Sequence, residues 1–184
     1  LPGVYQPKSA RFVEDRYQIS SDTGNVAWTV IALLAAHKVL DKGRRDSPYL
    51  TAAQDAARWI KEHCQAADAL GGCRGGFEGW PATAENPAGP QRLAWRSSEH
   101  QIDLYAAGMQ LAEATGDDQW RELALSSRQF LLQMRENDHF LVGVRDDAGT
   151  RNRDAIAADV QTWAVLALGH DPEFQRVMPA GPSG

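Results

Sequence analysis

An alternation between two kinds of helix constrains this chain more than any other feature. The stretch SSDTGNVAWTVIALLAAHKVLDKG, Ser20 to Gly43, is apolar almost all round through Val26, Trp28, Val30, Ile31, Leu33 and Leu34. A helix without a polar face has to be buried. SPYLTAAQDAARWIKEHC follows, with Ser47 as cap and Pro48 at the first helical position. Its apolar stripe of Leu50, Ala53, Ala57 and Ile60 turns inward, while Gln54, Asp55, Arg58 and Lys61 stay in water. The pair then returns. Glu99 to Thr115 is largely apolar and stops at Gly116, and DDQWRELALSSRQFLLQMRE carries Trp120, Leu123, Ala124, Phe130, Leu131 and Met134 on one stripe. ADVQTWAVLALG opens a third buried helix, whose outer partner is short or missing.

Buried helix and outer helix thus recur three times, the rhythm of an all-α, α/α-toroid domain in which inner helices ring an axis and outer helices pack on them. Inner helices are expected near 24–40, 99–115 and 158–168, and outer ones near 48–64 and 118–135. The whole of 1–184 reads as one domain or part of one ring, with Pro- and Gly-bearing irregular segments at 1–21 and 171–184. A short β-hairpin is expected near 139–146. There His139-Phe140-Leu141-Val142-Gly143-Val144 alternates before the turn signal Asp147-Ala148-Gly149. The 71–98 loop, with Phe77, Trp80 and Trp95, is too long for a plain connection.

Each inner helix opens with an acid: Asp22, Glu99 and Asp159. In a ring the loops entering the inner helices converge on one face, so these acids are expected to share a pit under the 71–98 loop. The middle helix is the most polar at its start, with Glu99, His100, Gln101 and Asp103 after Trp95-Arg96-Ser97-Ser98.

Charge and length exclude other classes. A net charge of −5 without a Lys/Arg run gives no footprint for nucleic acid. The longest apolar stretch, Val26 to Ala36, falls short of the roughly 20 residues of a membrane span. Cys64 and Cys73 flank a glycine-rich loop and suit either a disulfide or two thiols, which leaves the compartment open, a secreted or periplasmic one being favoured. Their separation exceeds that of the usual zinc pairs even with His63 adjacent, and no cofactor is called for.

GNVAWTVIALLAAH, GGFEGW, WRSSEHQIDLYAAGMQLAEATGD and AADVQTWAVLAL together resemble the bacterial six-hairpin glycosidase-like proteins of (α/α)6 toroid fold. The resemblance covers about residues 20–170. It rests on an acid–x–x–Asn opening, here Asp22 to Asn25, and on a Ser-Thr-Glu-His-Asn-like stretch, in which Ser98 replaces Thr and Gln101 replaces Asn. Six hairpins need roughly 300 residues, well above a typical domain. Starting at Leu1 with three hairpins, the chain is expected to be part of a longer toroid or a truncated relative.

The resemblance implies a saccharide substrate and glycosidic cleavage by a carboxyl pair, Glu99 and Asp22. Glu99, near Trp95, is expected to hold the proton, and Asp22, among Ser20, Ser21, Thr23 and Asn25, to stay ionised. Both positions equally suit helix capping. His100, Asp103, Tyr105, Trp80, Trp95 and Asp159 are the expected sugar-binding residues, Asp159 having Asn152-Arg153-Asp154 nearby to pair with or replace it. Trp28 and Trp163, inside apolar runs, are expected in the core. Two other readings stand beside this one. One is a non-catalytic toroid fragment that binds glycan or protein, associating with the missing half-ring or with a second copy. The other is a terpenoid cyclase- or prenyltransferase-like toroid, suggested by Gly-Gly-Phe and Gly-Trp turns but lacking an Asp-x-Asp-Asp motif.

Overall fold

The computed structural model describes residues 3–14, 19–80, 82, 84 and 87–175. Helix α1 (Thr23–Leu40) starts at Asp22, and α2 (Pro48–His63) at Ser47, whose hydroxyl accepts from the Leu50 N–H. α3 (Ser98–Thr115) ends on left-handed Gly116, and α4 (Asp118–Gln133) is capped by the Asp117 carboxylate. α5 (Ala158–Leu168) precedes a single-turn outer helix, α6 (Pro172–Gln175). Helices α1, α3 and α5 lie side by side, with α2 packed on α1 and α4 on α3. The five longer helices begin and end within two residues of the expected bounds.

The core lies between the two layers. Ala27, Val30 and Leu34 of α1 interlock with Ala53, Ala57 and Ile60 of α2 and with Leu104 and Leu111 of α3. A second cluster joins Ile102 and Leu131 to Val160, Ala164, Leu168 and Phe174. By length and composition α1 would pass for a membrane span, at 18 residues and mean hydropathy 1.2, but its buried stripe packs on α2 and α3.

The expectation that inner helices are buried on every face fails at both ends of the arc. Val39 and Leu40 of α1 are 72% and 62% exposed, and Leu166 of α5 is 79% exposed. Trp28, expected in the core, is 49% exposed. The physical reason is position. An inner helix at the end of an arc has an inner neighbour on one flank alone.

Short strands hold the helix N-termini. Residues 3–14, expected to be irregular, pair as β1 (Gly3–Gln6) and β2 (Arg11–Glu14) around a turn that contains Pro7. β3 (Ser20–Asp22) pairs antiparallel with β4 (Gly76–Glu78), and β4 with β5 (Gln91–Leu93). β6 (Arg96–Ser97) pairs with β9 (Gly143–Val144), which also pairs with β10 (Arg151–Asn152). β7 (Arg135–Glu136) pairs with β8 (His139–Phe140). The single hairpin expected at 139–146 is therefore split. Its first strand turns back on β7, and Asp147-Ala148-Gly149 instead turns β9 into β10. Strands of two residues leave no alternation to read.

One device repeats. The residue before α1, Asp22, faces Gly76 across its ladder, and the residue before α3, Ser97, faces Gly143. Gly76 has φ +108° and Gly143 φ +138°, and a Cβ on either would strike a backbone carbonyl oxygen, of Ser21 or of Arg96. Glycine alone fits there.

Candidate functional site

Asp22 lies where β3 turns into α1. Its Oδ1 accepts from the Gly24 N–H at 2.9 Å and lies 3.1 Å from His100 Nε2. Behind it the chain is laced to the 71–98 loop. Thr23 N–H donates to Gly75 O at 3.0 Å, Thr23 Oγ1 to Arg74 O at 2.6 Å, and Gly75 N–H to Trp95 O at 2.8 Å. Trp95 packs its ring over Gly75 and sits 5.3 Å from the His100 ring. The missing side chain of Gly24 makes room for His100, whose Cδ2 would lie 2.5 Å from a Cβ there.

The polar opening of α3 is not a cap. Ser97 makes no side-chain cap bond, and Ser98 Oγ donates to Leu141 O at 2.6 Å. Gln101 is fully buried, its Oε1 accepting from Cys73 N–H and its Nε2 donating to Cys73 O, both at 2.8 Å. His100 bonds Asp22 across the gap to α1. Burial lowers the His100 pKa, against the opposing pull of Asp22 and Glu99, and its Nδ1 is buried without a partner. A neutral imidazole held through one nitrogen results.

Asp103, one turn beyond Glu99, is 5% exposed. Burial and the neighbouring Glu99 push its pKa up to about 7, opposed by a hydrogen bond with the Trp28 side chain. Its Oδ2 has no partner. Trp28 in turn meets Trp163 of α5 edge-on at 5.8 Å. The three inner helices therefore approach one another at their N-terminal ends, around Asp103.

Of the expected residues, Asp22, Glu99, His100, Asp103 and Trp95 come together at this end. Asp159 sits on the same face of α5 as Trp163, one turn earlier; it is exposed, and its Oδ1 accepts from the Val160 N–H. Its neighbours are engaged elsewhere, Asp154 with Arg145 and Arg153 with Glu136. Trp80 follows the end of β4 at Glu78, beyond the turn at Gly79 with φ +94°. Tyr105 packs in the second core cluster, on the side of α3 away from Asp103. Of the two tryptophans expected in the core, Trp163 packs against the second core cluster, whereas Trp28 is half exposed and reaches Asp103 at the site. Its apolar neighbours hid it; the signal was an aromatic just inside an acid-headed helix.

A cavity of about 360 Å³ beside Trp95 is walled by β6 and β9, with Arg145 and Asn152 at its rim. Cys64 and Cys73 are buried free thiols whose pKa values burial raises, and His63 packs its ring against Trp59 and Phe77. Among the described residues no three His, Cys, Asp or Glu side chains group to hold a metal.

No family model matches this sequence, and no curated protein does. Solved structures do match. The chain is similar to a protein from Listeria innocua over 86% of its own length and 41% of that chain, at TM-score 0.62 and 15% identity. It is similar to cellobiose 2-epimerase from Spirochaeta thermophila over 86% and 41%, at TM-score 0.59 and 18% identity. A glycoside hydrolase family 76 α-mannanase from Bacteroides thetaiotaomicron matches over 86% and 40%, at TM-score 0.58 and 13% identity. At such identities the likeness shows the fold alone, an α/α toroid, and this chain spans about two fifths of the length of the chains it matches.

Proposed function

We propose that this chain is the acid-bearing arc of a carbohydrate-active toroid that cleaves a glycosidic bond. One observation carries the reading: Asp22, Glu99, His100 and Asp103 gather with Trp28 and Trp163 where three inner helices meet. Glycoside hydrolysis needs a carboxyl that gives a proton and one that stays ionised, and aromatic rings suit the apolar faces of a sugar. The α-mannanase and the epimerase of like fold lend the substrate class. The ring is completed by further helical hairpins against the exposed flanks of α1 and α5, whether from a longer chain or from a second copy.

Incubation with a panel of mannans, cello-oligosaccharides and uronate-bearing oligosaccharides, read as new reducing ends, tests this. Turnover should fall at least 100-fold in Glu99→Gln, with saccharide binding retained. An unchanged rate would reduce Glu99 to a helix-end charge.

The Asp22–His100 pair supports a second reading. A neutral imidazole oriented by a carboxylate is a base fit to take a proton from a sugar carbon, the chemistry of epimerisation or isomerisation. Product mass separates the two: hydrolysis adds one water, and isomerisation leaves the mass unchanged.

A further inference from the structure

Glu99, Asp103, Ala106 and Gln110 recur at helical spacing down one face of α3. Trp28 reaches that face from α1 and touches Trp163 from α5, so the face looks into the space the inner helices enclose. Exposure falls from Glu99, half-buried, to Asp103, 5% exposed, one turn deeper. Asp103 Oδ2 has neither donor nor acceptor against it. A buried carboxyl oxygen without a partner demands an explanation. Core packing supplies none, since the neighbouring Trp28 is half exposed rather than sealed in.

We infer that Asp103 is the catalytic proton donor of this site, its Oδ2–H aimed at the glycosidic oxygen of a saccharide lying against Trp28. The inference rests on the carbohydrate-cleaving reading and moves the proton from Glu99, where the sequence put it, to the deeper acid. Trp95, invoked to desolvate Glu99, lies instead on His100 and Gly75. As the C1–O bond breaks, its electron pair stays on the departing oxygen, which takes the Asp103 proton. Water forms the new bond to C1 and gives its proton to the Glu99 carboxylate. That proton then returns to Asp103, one turn away, and one water is consumed. Glu99 and His100 on α3, Asp22 at the head of α1 and Asp159 on the Trp163 face of α5 are the titratable groups around this space. The negative charge of Glu99 and Asp22 favours the proton on Asp103, and burial favours it most.

Two measurements test this. The first needs no substrate. Because the fold holds the Asp103 proton to about pH 7 while the unfolded chain releases it near 3.8, the melting-temperature advantage of Asp103→Asn over the native chain should widen between pH 5 and pH 8. The second is the pH profile of kcat/KM. The native profile should fall with a basic limb near 7, Asp103→Asn should lose at least 100-fold and the limb with it, and Asp103→Glu, which keeps an acid, should recover part of both. A constant melting-temperature difference, or an Asp103→Asn rate within tenfold of native, overturns the inference. Should the difference widen while the native chain cleaves no saccharide, the carbohydrate-cleaving reading falls, and with it the catalytic role of Asp103.

Discussion

Gln101 stands where the resembled pattern has Asn, and the structure makes it a backbone clamp. Its amide forms two 2.8 Å bonds to Cys73, one to the N–H and one to the C=O, inside a fully buried contact between α3 and the loop after α2. Replacing it with Ala strands both Cys73 groups. Each buried group left unmade costs about 1–3 kcal/mol, so the substitution should cost about 4 kcal/mol. For a chain of this size that lowers Tm by roughly 8–16 °C. Urea unfolding followed by far-UV circular dichroism reads the change directly. Gln101→Glu sharpens the test, because a carboxylate still accepts from the Cys73 N–H but has nothing to donate to the C=O. At neutral pH it should lose at least as much stability, since a buried charge would face that carbonyl, and recover as acidification supplies the missing proton. A loss under about 1 kcal/mol in Gln101→Ala would refute the clamp.

Gly24→Ala places a Cβ 2.5 Å from His100 Cδ2, so the His100–Asp22 contact should break and the His100 ring protons should move in the NMR spectrum. The Arg128 guanidinium holds the Asp171 pKa down, to about 2, which stabilises the fold above the unfolded value of 3.8 and is lost as pH falls toward 2. Asp171→Asn should therefore cost about 1–2 kcal/mol at pH 7 and flatten the acid limb of stability measured by thermal melts. Buried thiols with raised pKa values react slowly, so Cys64 and Cys73 should be modified by a thiol reagent at pH 8 no faster than the chain unfolds.

Much of the architecture was legible because inner and outer helices differ in kind. A run such as Val26–Leu34 has no polar face, whereas Leu50, Ala53, Ala57 and Ile60 draw one stripe. The caps at Ser47 and Gly116 mark ends that the structure keeps. The strands escaped, since pairs such as Arg96–Ser97 with Gly143–Val144 are joined across more than forty residues and are too short to show a period. The convergence of Asp22 with Glu99 and His100 followed from ring geometry. The raised pKa of Asp103 did not, because it comes first from burial against elements remote in sequence and then from Glu99, and an apolar run cannot say which of its residues lies at the open end of an arc. Tyr105 failed for a related reason. Two positions past Asp103 is about 200° around the helix, the opposite side.

The paired strands at the helix heads set a time order for folding. The contacts of α1 with α2 and of α3 with α4 are local, closing loops of a few residues, and such hairpins form early. The ladders that carry Asp22 and Ser97 instead join Asp22 to Gly76 and Ser97 to Gly143, at a loop-closure cost met after the hairpins stand. The helices thus condense as a scaffold before the acids are drawn together. Gly76 and Gly143, where a Cβ would strike the facing carbonyl oxygen, are the positions at which a substitution is expected to slow those closures without altering the helices themselves.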